Sequence, residues 1–224
     1  MTNSAALLRE RIQVTLGTRC ETAFLSKKTL EESLPSVVGE IPRGALTEIA
    51  GPPSSGRTAL LHSLLAASCA IPEFCALLDA NDTFDPESAA AAGVRLSQVL
   101  WVRCGGNVES AFKAADLLTQ AGGFGLVAID LGDSNEKRVY RIPLTIWFRL
   151  RHAVENTRTA VVVVARQINA RSCSALKIEL SRNRAVWKGW LPGCPPGCLL
   201  DGFQVTAQTV RKHQTQERQF HIEP

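Results

Sequence analysis

Apolar positions along the chain switch between a helical and an extended period, and the switches mark out an ordered set of elements. Residues 5–16, AALLRERIQVTL, place Leu7, Leu8, Ile12 and Leu16 at helical spacing. A polar stretch follows, and Pro35 with GEIPRG leads into a denser region. Ala45–Gly51 (ALTEIAG) alternates like a strand, and Arg57–Ala70 (RTALLHSLLAASCA) has the breaker-free apolar density of a helix. Phe74–Ala80 is short and apolar, as a buried strand is. DPESAAAAGV opens a helix with Asp85 as N-cap, Pro86 at its first position and Gly93 as its stop.

The alternation continues with a strand at Val99–Cys104, then a helix in VESAFKAADLLTQAGG that Gly122 and Gly123 close. Phe124–Asp133 reads as a strand, Pro143–Glu155 as a helix with a thick apolar stripe, and Thr159–Ile168 as a strand. Beyond Ile168 the period becomes two, and residues 175–189 and 201–223 read as antiparallel strands joined by turns. Repeated strand–helix units followed by hairpins predict an α/β fold: a central, mostly parallel sheet flanked by helices, with antiparallel C-terminal strands and a short N-terminal helix. Residues 1–38 form the helix and linker, an arm suited to interaction or oligomerisation, and 39–224 form the core domain. There is no internal repeat and no low-complexity tract.

Composition narrows this picture only a little. At 224 residues, 45% apolar and 21% charged, the chain is long enough for one domain with a full core. No apolar run reaches the roughly 18 residues a membrane span needs. MTNSAALLRERIQ lacks the basic start and apolar block of a secretory signal, so a cytoplasmic protein is expected. Seven scattered cysteines fit small buried apolar residues in a reducing compartment. The one close pair, Cys194 and Cys198 in GCPPGC, suits a structural turn; a zinc site would need two more ligands, and His213 and His221 stand isolated on strand-like segments.

Charge is less even. Between Lys137 and Lys188 twelve Lys and Arg stand against Glu155 and Glu179, a local balance of +10. The whole chain carries +4, so the remainder sums to −6. That polarity suits either a basic face for phosphate backbones or acidic partners, or a set of solvated charges spread around the fold.

The chemistry concentrates at Gly51–Thr58, GPPSSGRT. Between a strand and a helix, this is the phosphate-binding loop G-x-x-x-x-G-K-[ST] with Arg57 in place of lysine. Glycines let backbone N–H groups face phosphates at a helix N-terminus, so Gly51, Ser54, Ser55 and Gly56 form the candidate cradle. Thr58 would place its hydroxyl on Mg²⁺, and Asp130, ending the apolar run LVAID, would complete the metal side. Arg57 is longer, planar and forked, and such an exchange is not conservative. It would pair with phosphate, fill the pocket itself, or pair with Asp79 or Asp130.

IPRGALTEIAGPPSSGRTALLHSLLAA, LLDANDTFDPESAAAAGV, FGLVAIDLGD, VVVARQIN and SALKIELSRNRAVWK, in that order, resemble the RecA recombinase family from about Gly39 to the C-terminus. The resemblance implies the RecA-like P-loop core. It also implies that Thr58, Asp85, Asp130 and the γ-phosphate-sensing Gln167 match the family's nucleotide site, for ATP or ADP with Mg²⁺ if any nucleotide binds. Three positions depart from the family. Asn81 stands where its catalytic glutamate would be, which removes a general base worth about 10² to 10⁴ in rate. Ser88 replaces the tyrosine that stacks on adenine, and Arg57 replaces the loop lysine. The two DNA-binding loops are short: GDSNEKRVYRIP, and NARSC between Ile168 and SALKIEL. Arg138, Arg141 and Arg171 remain as candidate nucleic-acid contacts, or as plain surface charge.

A short RecA relative with this pattern is similar to the ImuA family. That similarity implies a non-catalytic or weakly catalytic accessory protein of DNA repair, SOS mutagenesis and translesion synthesis. Its expected partners are a RecA filament, an inactive Y-family polymerase homologue (ImuB) and an error-prone C-family polymerase, with Leu7, Leu8, Ile12 and Leu16 as an interface. Two other readings follow from the same residues: a DNA-dependent ATPase or recombinase with a variant loop, and a SulA-like division inhibitor. Trp187 and Trp190, flanking Lys188 near a hairpin tip, would serve either core packing or partner binding.

Overall fold

The computed structural model describes residues 33–188, 199–211 and 214–222, with the side chains of Lys188 and Leu199 left aside. The N-terminal apolar set (Leu7, Leu8, Ile12, Leu16), Trp190, Cys194, Cys198 and His213 lie outside these residues.

A two-stranded antiparallel pair, β1 (Ser33–Leu34) with β2 (Ile41–Pro42), precedes the main sheet. There follow β3 (Ala45–Ala50), α1 (Arg57–Ala70), β4 (Phe74–Asp79), α2 (Pro86–Ala91), β5 (Val99–Arg103) and α3 (Val108–Ala121). The chain continues through β6 (Phe124–Asp130), α4 (Glu136–Tyr140), α5 (Leu144–Val154), β7 (Ala160–Ala165), β8 (Leu176–Lys188), β9 (Leu199–Arg211) and β10 (Gln214–Ile222). The eight-stranded sheet runs β10-β9-β8-β3-β7-β6-β4-β5. From β8 to β5 each strand pairs in parallel with the next along the sheet, and β9 is antiparallel to both β8 and β10. The α/β architecture expected from the alternating periods is present, with the C-terminal strands antiparallel.

Each sheet face carries its own core. On one side α3 and α5 pack through Ala111, Phe112, Leu118, Trp147 and Leu150, with Phe112 and Trp147 edge to face at 4.8 Å between centroids. On the other, Leu60, Leu61, Leu64 and Leu65 of α1 cover Ile49, Leu77, Val162 and Ile178. β7, AVVVVA, is buried at all six positions because helices cover both faces of a parallel sheet. Each fully buried Val or Leu there contributes about 1.5–3 kcal/mol relative to exposure. Leu34 and Val38, just ahead of Gly39, are buried in the α1-side core.

Four differences from the sequence-based expectations have physical causes. The strands beginning at Phe74, Val99, Phe124 and Thr159 stop earlier than their apolar runs suggest, because the chain turns at the carboxyl edge of the sheet. GDSNEKRVYRIP holds a short helix, α4, whose N-cap Asn135 accepts from Lys137 N at 3.0 Å through its side chain. Core packing for Trp187 is overturned: β8 runs past the region the helices cover, and the ring is 54% exposed. The basic stretch is also less uniform than its count implies, since Arg149 pairs with Asp116, Arg151 with Glu155 and Arg166 with Glu136.

Candidate functional site at the carboxyl edge of the sheet

Parallel pairing brings the ends of β3, β4, β6 and β7 to one edge. Asp79 is the register partner of Asp130, Asp130 of Val164, and Ala50 of Ala165. Open α/β sheets bind ligands at this edge. The loop from Gly51 leaves β3 here and turns, with Ser55 N donating to Pro52 O at 3.2 Å, before entering α1. Gly51 admits no side chain, for a Cβ would overlap Ser55 Oγ and come within 2.6 Å of Leu180 O. Gly56, the residue before α1, sits at φ +91°, and a Cβ there would run into Ile222 Cδ1 of β10. No side chain caps α1, so the first-turn N–H groups stay available to an anion. Ser54 takes a left-handed φ of 60°, Ser55 is buried with its Oγ unpartnered, and Thr58 is exposed.

Arg57 does not pair with either carboxylate. Only 8% exposed, it donates from Nη1 to Gly132 O at 3.2 Å, and Arg166 Nε donates to the same oxygen at 3.2 Å. Burial lowers the Arg57 guanidinium pKa, while the nearby charges of Asp130 and Asp133 oppose that shift. Asp130 Oδ1 accepts from Gly132 N at 2.8 Å, which closes the turn after β6. Burial raises the Asp130 carboxyl pKa, the Gly132 N–H works against it, Asp79 adds to the rise, and Arg57 again opposes it. The groups are crowded: a side chain on Gly132 would lie 3.0 Å from Asp130 Oδ1 and 3.4 Å from Arg57 Nη1.

Asp79 is committed elsewhere. It is fully buried and accepts from Asn81 N (3.3 Å) and Thr83 N (3.1 Å) through Oδ1, and from Phe84 N (2.9 Å) and Trp101 Nε1 (3.3 Å) through Oδ2. It is therefore the staple of the turn after β4. Asn81 is tied down as well, its Nδ2 donating to Ser134 Oγ at 2.9 Å. Neither side chain is placed to activate a water.

Between the loop, β6 and the turn after β4 lies a cavity of about 350 Å³, lined among others by Ser54, Arg57, Thr58, His62, Phe84 and Asp130. Arg57 thus enters the pocket without filling it. His62, on α1, is 6% exposed and meets Phe84 edge to face at 5.8 Å, and its Nε2 has no hydrogen-bond partner. Burial lowers its pKa, against the pull of Asp85. Asp85 itself caps α2, accepting from Glu87 N, Ser88 N and Ser88 Oγ; these bonds, the hydroxyl's first, hold its carboxyl pKa below the ordinary value.

Asp85 and Gln167 do not line the cavity. Gln167 is exposed and donates from Nε2 to Glu136 Oε2 at 3.5 Å. Arg138, Arg141 and Arg171 are all exposed, and Arg138 Nη1 reaches Gly106 O at 3.5 Å. Arg171 stands at φ 52° in the tight turn after β7. Glu48, buried on β3, holds that turn by accepting from Asn169 N (2.7 Å), Ala170 N (2.9 Å) and Ser174 Oγ (3.2 Å). Burial raises the Glu48 pKa in spite of these bonds. Sequence reasoning missed His62, Arg166 and Glu48. A charged residue inside an apolar strand, TEIA, was the available signal for Glu48; nothing in the spacing marked the other two.

The uncapped α1 N-terminus suits a phosphate, with Ser54 and Thr58 beside it. A divalent ion fits less well, because Asp130 Oδ1 already serves Gly132 N and the Arg57 guanidinium lies on the same side. Among the described residues no three His, Cys, Asp or Glu side chains group as a metal cluster.

A parallel sheet, a glycine-framed loop entering a helix and an aspartate at the neighbouring strand end define a P-loop α/β protein. The RecA N-terminal domain family matches residues 13–135, more than half of the 224, and the chain belongs to that family. It is 29% identical over 141 residues to the RecA protein of Chloroflexus aurantiacus, covering 57% of this chain and 40% of that one. With the RecA protein of Deinococcus radiodurans it shares 35% over 112 residues, covering 50% and 31%. With that of Ectopseudomonas oleovorans it shares 38% over 93 residues, covering 42% and 26%. The chain thus matches less than half the length of these relatives.

Proposed function

We propose that this chain is a RecA-family accessory protein of DNA repair that hydrolyses nucleotide weakly or not at all and works through protein partners. The observation that carries this reading is the commitment of the polar side chains around the loop to structural bonds. Asn81 is held by Ser134, Asp79 by three backbone N–H groups and Trp101, and Arg57 by Gly132 O. No general base faces the cavity from the turn after β4, and without one the rate falls by about 10² to 10⁴.

Family membership supports a role in DNA repair or recombination. The similarity to the ImuA family directs the finer proposal toward damage-induced translesion synthesis with a RecA filament, an ImuB-type polymerase homologue and a C-family polymerase. Exposed aromatic side chains at Tyr140, Phe148 and Trp187 suit binding to proteins. Arg138, Arg141 and Arg171 add a weaker, salt-sensitive contact to DNA in this scheme. Steady-state ATP turnover with and without single-stranded DNA tests the reading. Turnover at background is expected, and a DNA-stimulated rate well above it would overturn the accessory role.

A further inference from the structure

We propose that Cys69 and Cys75 form a reversible oxidation site, at which a hydroperoxide joins the two thiols into a disulfide that fastens the end of α1 to the start of β4. Neither residue lines the cavity at the loop, and the site stands apart from the accessory role.

The geometry is that of a pair poised to close. Cys69 lies in the last turn of α1, Cys75 is the second residue of β4, and the five residues 70–74 connect them. Their Sγ atoms stand 3.7 Å apart, and both side chains are fully buried. A disulfide needs about 2.05 Å between its sulfurs. The end of α1 supplies that approach, for Ala70 and Pro72 are exposed and Ile71 is already extended. Helix ends fray, and opening of this last turn admits a peroxide of nearly the size of water. Cys75 stays in place meanwhile, because β4 is paired on both sides, through Val99 of β5 and Leu126 of β6.

Burial ordinarily leaves a thiol inert. Cys104 and Cys173 follow that rule, burial raising the pKa of each. Cys69 departs from it: the S–H of Cys75 bonded to its sulfur lowers its pKa, against the effect of burial. The same bond, and burial after it, raises the pKa of Cys75. One sulfur is thus the nucleophile and the other holds a proton. With hydrogen peroxide, the Cys69 thiolate attacks one oxygen and the O–O bond breaks. Cys69 becomes a sulfenic acid, and the departing hydroxide takes up the proton that Cys69 gave up. Cys75 then attacks the Cys69 sulfur, the S–O bond breaks, and the hydroxyl leaves with the Cys75 proton as a second water. Two thiols lose two electrons, and one peroxide gains them. The second thiol keeps the site reversible, because a sulfenic acid without a partner goes on to the irreversible sulfinic acid. The loop closed is short, so the bond adds little to global stability and acts locally, on the last turn of α1.

Treatment of the full chain with hydrogen peroxide, then alkylation, denaturation and non-reducing peptide mapping, tests the assignment. Cleavage after Glu73 separates the two cysteines, so their bond shows as two joined peptides. A Cys69–Cys75 bond is expected, formed at least about tenfold faster than Cys104 is oxidised and undone by dithiothreitol. Oxidation of Cys104 while Cys69 and Cys75 remain thiols would overturn the proposal. So would sulfinic acid at Cys69 with no bond, or either sulfur bonded to a different cysteine. Cys75→Ser should leave Cys69 as a sulfenic acid that dimedone traps, and Cys69→Ser should leave Cys75 unlabelled. Labelling of Cys75 in the second variant counts against Cys69 as the attacking sulfur. The wild-type map needs no variant, so it decides the matter even where a substitution fails to fold.

Discussion

Arg57 and Arg166 donate to one acceptor, the carbonyl oxygen of Gly132, each at 3.2 Å. Two like charges converge on one oxygen, and the acidic side chains of Asp130 and Asp133 offset their repulsion. The pair is therefore coupled. Removing either arginine leaves the carbonyl one donor, and removing both leaves it bare. A double-mutant cycle with Arg57→Ala and Arg166→Ala should show non-additivity of about 0.5–3 kcal/mol, the second loss exceeding the first. Urea unfolding measures it, and strict additivity would show that the shared carbonyl carries no coupling.

Asp79 is a structural staple, and its loss should be severe. Asp79→Ala strands three backbone N–H groups and the Trp101 indole, each a loss of about 1–3 kcal/mol when buried. Trp101→Phe removes one of these bonds and should lose about 1 kcal/mol. Chemical denaturation that ranks the two equally would contradict the staple.

Gly56→Ala should destabilise by about 1–2 kcal/mol from its left-handed backbone alone. The added methyl also meets Ile222 Cδ1, the end of a flexible side chain on β10. Ile222→Ala should therefore recover part of the loss in the double variant. Thermal melts of the three proteins read this out.

His62 gives stability a pH dependence of definite sign. Its folded pKa lies below the ordinary value of about 6.5, so the unfolded chain binds its proton first. The contribution is fully present above that pH and is lost as pH falls through it toward the lower folded value. Glu48 and Asp130 act in the opposite sense, since their raised folded pKa values let the native state hold protons to higher pH. His62→Gln should thus flatten the fall in melting temperature as pH drops below about 6.5. An unchanged slope would show that other groups set it.

Much of the fold was legible because its signals are local. RTALLHSLLAASCA matches α1 residue for residue, and Asp85, Pro86 and Gly93 bound α2 as their chemistry requires. Glycine pairs ended α3, and the alternating tail formed the antiparallel strands. The candidate site was legible only as residue types. That Gly51, Gly56 and Arg57 belong together follows from one eight-residue stretch, as does the loss of the loop lysine.

What tertiary structure decided was the partner of Arg57, Asn81 and Glu48, because those partners lie far along the chain. Gly132 is 75 residues from Arg57, and Asn169 is 121 residues from Glu48. Sequence placed Asp79 and Asp130 at strand ends with equal claims on Arg57. Only pairing of β4 with β6 set them side by side, and only the turns that follow assigned one to backbone N–H groups and the other to the cavity. Local periodicity is encoded within a few residues, so the sequence by itself determined the elements. Hydrogen bonds between distant segments depend on which strands become neighbours, so the fold alone determined the chemistry left in the loop.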